Sequence, residues 1–216
     1  MLFATFLVLF FNADKPKPRI LIIGDSISIG YTPYVKQYFA EKAIVAHNPG
    51  NAQHTGTGLK NIVEWIGKED RDIIQFNWGL WDLCYRDPNS KNQGNRDKKN
   101  GKITYSVDDY ATNLDSLVSI LQKKTTAKLI FVTTTYVPED EAGRYSADVI
   151  KYNDAAKKIM KKHSVLVNDI YEKSIAIHKE FGQGSDNVHY TDEGYQKLSK
   201  LVTGFLDKEI ESLEHN

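Results

Sequence analysis

Apolar residues along this chain fall into two alternating patterns: short unbroken runs, and longer stretches in which they recur every third or fourth position. Arg19 to Gly24 (R-I-L-I-I-G) is an unbroken run, as expected of a parallel strand buried on both faces. Ile44 to Asn48, Asp72 to Trp78, Lys128 to Thr133 and Val165 to Ile170 read as four further short strands. Between them lie helical spacings. Pro33 to Lys42 reads as a helix with Pro33 suited to its first turn. Thr57 to Ile66 places Leu59, Ile62, Val63 and Ile66 on one face. Ser106 and Asp109 form a capping pair that opens a helix carrying Leu114, Leu117, Val118 and Leu121. Tyr145 to His163 and Tyr171 to Glu180 follow, and a last helix after Thr191 carries Tyr195, Leu198, Val202 and Phe205 along one stripe. Strands alternating with helices at this spacing predict a five-stranded parallel sheet in a three-layer α/β/α sandwich. Arg86 to Tyr105 breaks the rhythm with a polar stretch, and a loop of that length in a compact domain is usually functional.

Neither an internal repeat nor a linker divides the chain, so residues 19–214 read as one domain. Twenty-eight basic residues balance twenty-eight acidic ones, which argues against a phosphate-binding surface and hence against nucleic acid as a partner. The single cysteine, Cys84, excludes an internal disulfide and a multi-thiolate metal site, and reads as a packing residue. His and carboxylate positions show no metal-ligand spacing, so no metal and no cofactor are expected. Residues 1–11 (M-L-F-A-T-F-L-V-L-F-F) are uncharged and nearly all apolar. They are too few to span a bilayer, which takes roughly 20 residues. They resemble the apolar part of a signal peptide ending near Asn12-Ala13, although no Lys or Arg precedes them. Residues 1–13 therefore predict a secreted or periplasmic protein, the alternative being an apolar extension of a cytoplasmic one. Oligomeric state is not set by the sequence.

In open parallel sheets, ligands bind beyond the carboxyl ends of the strands. The first strand delivers Gly24-Asp25-Ser26-Ile27-Ser28, the second Asn48-Pro49-Gly50-Asn51, and the third Asn77-Trp78-Gly79-Leu80-Trp81-Asp82. Far downstream, before the last helix, comes Asp186-Asn187-Val188-His189. A serine becomes a nucleophile when a base takes its proton and donors steady the oxyanion. Ser26 at a strand-to-helix turn can be that serine, His189 the base, and Asp186 the group that orients the imidazole. The N–H groups of Ser26 and Gly50 can serve as an oxyanion hole. Taken singly, each has a plainer reading, Ser26 as a helix cap and D-x-x-H as a surface turn.

Together these residues make the chain resemble the SGNH (GDSL-type) hydrolases from about Arg19 to the C-terminal helix. G-D-S-I-S is similar to the family's first block, Gly50 to the glycine of the second, and Asp186 with His189 to the D-x-x-H of the last. The resemblance implies a flavodoxin-like fold, Ser26 as nucleophile, and metal-free ester hydrolysis through an acyl-serine. The third block departs from the family's G-x-N-D: Gly79-Leu80-Trp81-Asp82 has Trp81 where the oxyanion asparagine belongs. The indole N–H of Trp81 is a bulkier donor, and Asn77, at the same strand end, is favoured over it as the substitute, its plainer reading being a tie between neighbouring loops.

Around these, Asp25, Asn51, His54, Trp78, Trp81 and Arg86 are candidate substrate contacts, with Arg96 on the same polar loop. Aromatic and polar residues there suit a sugar, so the expected substrate is a small acyl ester, acetyl above all, of a carbohydrate. The alternatives are a non-catalytic carbohydrate-binding protein, a lysophospholipase- or thioesterase-type acylhydrolase, or a flavin- or nucleotide-binding protein on the same fold.

Overall fold

The computed structural model describes residues 16–214. The apolar run proposed as a signal peptide lies outside them. Strands β1 (Arg19–Ile23), β2 (Ile44–His47), β3 (Ile73–Phe76), β6 (Lys128–Val132) and β7 (Leu166–Asn168) form a five-stranded sheet, every pair parallel, in the order β2-β1-β3-β6-β7. The register sets Ile20 beside Ile73 and Ile23 beside Phe76. Ile20 to Ile23 and all of β3 are buried, which is why β1 reads as an unbroken apolar run and β3 is apolar but for Gln75.

Helices cover both faces. α1 (Ser26–Tyr38) packs on α6 (Asp192–Glu214), and α6 on α5 (Tyr171–Phe181). α2 (Thr55–Ile66) packs on α3 (Val107–Lys124), and α3 on α4 (Ser146–Lys162). From β1 the chain leaves for β2 on one side and returns to β3 on the other, so the carboxyl ends of β1 and β3 diverge into the crevice where such sheets bind ligands. Among the described residues no helix is long and apolar enough to cross a membrane.

Three expectations shift. The first helix begins at Ser26, not Pro33, and Pro33 sits inside it. Asp25 caps it, accepting the Ile27 N–H at 3.0 Å, and the bond Pro33 cannot donate falls on an exposed face beside Ile29. In α2 the buried face runs through Gly58, Ile62, Trp65 and Ile66, leaving Val63 exposed. The polar stretch is structured: β4 (Tyr85–Arg86) pairs antiparallel with β5 (Lys102–Ile103), and one 3-10 turn forms at Gln93–Asn95. This hairpin is fastened to the segment after β6 by Tyr85 N–H to Gly143 O and Lys98 N–H to Ala142 O, both 2.7 Å. Ser106 caps α3 as its pairing with Asp109 predicts.

Candidate active site

Ser26 is the first residue of α1, at the carboxyl end of β1. Its backbone N–H therefore lies at the positive end of a helix, where negative charge is favoured. The side chain meets His189 from across the molecule, with Oγ 2.9 Å from Nε2. The turn between α5 and α6 presents that imidazole. Gln183 fastens its two limbs, donating its N–H to His189 O at 2.9 Å and its Nε2 to Tyr190 O at 2.8 Å.

The imidazole is oriented by Asn187, not by Asp186. Asn187 Oδ1 accepts from His189 Nδ1 at 2.7 Å and from the His189 backbone N–H at 3.0 Å. Its amide nitrogen donates to Gln183 Oε1, and its carbonyl accepts from His178 Nε2 at 2.7 Å. Asp186 is exposed in a turn closed by the Asn187 N–H on Gly184 O, and the two His189 ring nitrogens are taken by Asn187 and Ser26 instead. With Nδ1 donating to Asn187, Nε2 carries the lone pair facing Ser26 Oγ, the tautomer a general base requires. Burial, then the charges of Arg144 and Arg96, hold His189 below the usual histidine range, so the imidazole is neutral at pH 7.

Gly50 occupies the left-handed region (φ 66°) in a turn that Asn48 builds. Asn48 Oδ1 accepts from Gly24 N–H at 2.9 Å while its Nδ2 donates to the Pro49 and Gly50 carbonyls, tying the turn to the end of β1. Among the described residues, neither the Ser26 nor the Gly50 N–H is used in a backbone hydrogen bond.

Asn77, expected as the oxyanion donor, does not line the cleft that holds Ser26 and His189: its Nδ2 donates to Val132 O at 2.7 Å, joining the ends of β3 and β6, and it lines a small separate void together with Asp25. Three candidate substrate contacts are also structural. Asp25 is buried as the α1 cap, and burial pushes its carboxyl up to about 6. His54 caps α2 through Nδ1 to the Thr57 N–H and stacks edge-on with Tyr105. Trp78 is fully buried, with Nε1 donating to Ala52 O. Asp82 is likewise internal, its carboxyl pushed up to about 7 by burial while Oδ1 accepts from Thr55. A second serine–histidine pair, Ser28 Oγ to His47 Nε2 at 2.7 Å, is no rival, because Ser28 is buried and its single proton has Asp25 O as an acceptor at 2.7 Å.

Ser26 and His189 open onto a cleft of about 440 Å³ shared with Asn51, Trp81 and Arg86, so these three candidates do line it. That volume lies within the usual range of small-ligand sites. Arg86 lies 4.8 Å above the Trp81 indole. Arg96, expected on the loop, lines the cleft too, and Arg144 is a wall residue the sequence reading missed. The signal that could have found it is its place in the segment after β6, beyond the carboxyl end of a parallel strand. Among the described residues no cluster of three His, Cys, Asp or Glu side chains could hold a metal ion.

Comparison with known proteins shows the family and the fold. The sequence pattern of the GDSL-like lipase/acylhydrolase family matches residues 22–197. No curated protein matches the chain by sequence. Among solved structures, a lipase/acylhydrolase from Enterococcus faecalis superposes with a TM-score of 0.70 at 19% identity, over 89% of this chain and 96% of that one. An acetylxylan esterase from Geobacillus stearothermophilus gives 0.67 at 18% identity, over 86% of this chain and 92% of that one. Another acetyl xylan esterase gives 0.64 at 16%, covering 85% and 97%. At these identities the likeness is one of fold.

Proposed function

The chain belongs to the GDSL-like lipase/acylhydrolase family and is a carboxylic ester hydrolase, and from that premise we propose that it removes small acyl groups, acetyl above all, from a carbohydrate through an acyl-serine at Ser26. The observation that carries the reading is the 2.9 Å contact between Ser26 Oγ and a neutral His189 whose other nitrogen is already donating. Ser26 Oγ attacks the carbonyl carbon as its proton passes to His189 Nε2. The tetrahedral oxyanion is received by the Ser26 and Gly50 N–H groups, the former at the helix terminus. Collapse breaks the bond to the alkoxy oxygen, which leaves as an alcohol with the proton from His189. Water then attacks the acyl-serine, His189 takes its proton, and the carboxylic acid departs as Ser26 is reprotonated.

Asn187 takes the place of the carboxylate in this scheme, fixing the tautomer without supplying charge. Asn51 spends its Oδ1 on the Gln53 N–H, which leaves its amide nitrogen for the substrate. The Trp81 ring on the cleft wall suits a sugar face, and two solved structures of the same fold carry names of acetylxylan esterases. The test is intact-mass analysis after a small fluorophosphonate, on the wild type and Ser26→Ala. One adduct on the wild type and none on the variant is expected. Equal labelling of both places the nucleophile elsewhere, and a 4-nitrophenyl ester series fastest at long acyl chains removes the acetyl assignment.

A further inference from the structure

The cleft wall carries three arginines, Arg86, Arg96 and Arg144, and no Asp or Glu among the described residues that line it. In a chain of zero formal charge, that concentration does not follow from composition. Arg144 is built in: its side chain is 5% exposed, Nη1 donates to Glu141 at 2.8 Å, and Nε donates to Leu80 O at 2.5 Å. Arg96 Nη1 donates to the same Glu141 oxygen at 2.6 Å, and its Nε to Gln93 O at 3.0 Å. Arg86 spends Nη1 on Gly94 O and lies over Trp81.

Glu141 is fully buried, and its second oxygen is taken by the Gly143 N–H at 2.7 Å. One carboxylate thus serves two guanidiniums and none serves the third. Holding guanidiniums out of water is costly unless an opposite charge meets them. In Arg96 and Arg144 the protein's own hydrogen bonds run through Nε and Nη1, so each keeps a pair of Nη2 donors over. Planar donor edges of this kind match carboxylate and phosphate oxygens.

We propose that the ester this cleft accepts carries an anionic group, a carboxylate or a phosphate, beside the scissile bond, and that Arg86, Arg96 and Arg144 hold it. The proposal rests on reading the cleft as the ester site and narrows its substrate to an acylated acidic sugar. Charge-assisted hydrogen bonds of this type are worth roughly 10- to 100-fold in affinity.

The experiment measures protection. Ser26 is labelled with an uncharged fluorophosphonate in the presence of glucuronate, glucose 6-phosphate or glucose at equal concentration and ionic strength. The anionic sugars should slow labelling at concentrations about tenfold or more below any at which glucose does. Whichever of the two protects better identifies carboxylate or phosphate. Arg96→Gln and Arg86→Gln, examined separately after circular dichroism shows each folded, should lose that advantage. Glucose protecting as well as the anions, or none protecting, overturns the proposal while labelling of Ser26 leaves the esterase reading intact. Thermal shifts with the same sugars on Ser26→Ala decide the anion question even where labelling fails, and a shift equal for glucose and the acids overturns it.

Discussion

Replacing Asn187 by alanine isolates what orients the imidazole. The substitution removes the acceptor of two hydrogen bonds, from His189 Nδ1 at 2.7 Å and from the His189 backbone N–H at 3.0 Å. Each is worth about 1 kcal/mol net, and a half-buried donor left unpaired costs about 1–3 kcal/mol. A loss of about 2–3 kcal/mol in transition-state stabilisation is roughly 30- to 150-fold in kcat/KM. Asp186→Ala touches an exposed carboxylate without a contact to the imidazole, so its effect should stay within about 0.5 kcal/mol, roughly twofold. Asn187→Asp keeps the acceptor and adds a negative charge, which should raise the histidine pKa and move the acid limb of kcat/KM to higher pH. The assay is kcat/KM on 4-nitrophenyl acetate against pH for the three variants, with thermal unfolding to show each is folded. A crippled Asp186→Ala beside a near-normal Asn187→Ala would refute the reasoning and restore the D-x-x-H assignment.

The remaining predictions concern the electrostatics of the wall. Because burial and the arginines lower the His189 pKa, its neutral form persists below the usual histidine range. The acid limb of kcat/KM should therefore lie below about 6.5, the value of a free imidazole, and a limb above 6.5 would contradict the site's charge balance. Glu141→Ala strands two guanidiniums and the Gly143 N–H, and breaking a buried ion pair from one side costs about 3–5 kcal/mol. In a domain of this size that is a fall in Tm of roughly 10 °C, measured by calorimetry. A fall of a degree or two would mean that Glu141 does not organise the wall.

Much of the fold was legible because hydrophobic periodicity and strand geometry are local. β1 is buried on both faces and reads as an unbroken apolar run, β3 keeps the pattern apart from the buried Gln75, which donates to Tyr31 Oη, and α3 announced itself by Ser106 and Asp109. α1 was misplaced because Pro33 is usually an opening residue, and only tertiary placement shows that its missing donor falls on an exposed face. Ser26 and His189 could be nominated from position at the sheet's edge, and their contact spans 163 residues. What orients His189 was not readable. Asp186 and Asn187 are neighbours in one turn, and which side chain reaches Nδ1 depends on the turn's geometry, with Gln183 holding the Asn187 amide from the other limb. Asn77 illustrates the same limit: a donor at the right strand end is claimed by Val132 O on the next strand.

The neutral orienting residue and the arginine wall are two parts of one charge balance. A carboxylate behind His189 would stabilise the imidazolium that forms as Ser26 attacks, and asparagine supplies no such charge. The arginines act in the opposite direction, disfavouring the imidazolium in the empty cleft. An anion seated on Arg86, Arg96 and Arg144 cancels that penalty as it binds, so its charge serves catalysis and recognition together. The consequence separates the free enzyme from its complex. The acid limb of kcat/KM reports the empty cleft and the limb of kcat the occupied one. With an acylated acidic sugar, the kcat limb should lie above the kcat/KM limb, because the bound anion returns the imidazole toward its ordinary value. With the matching neutral sugar, the two limbs should nearly coincide. Coinciding limbs for the acidic substrate would show that the anion does not feel His189, and the coupling argued from the wall would fail.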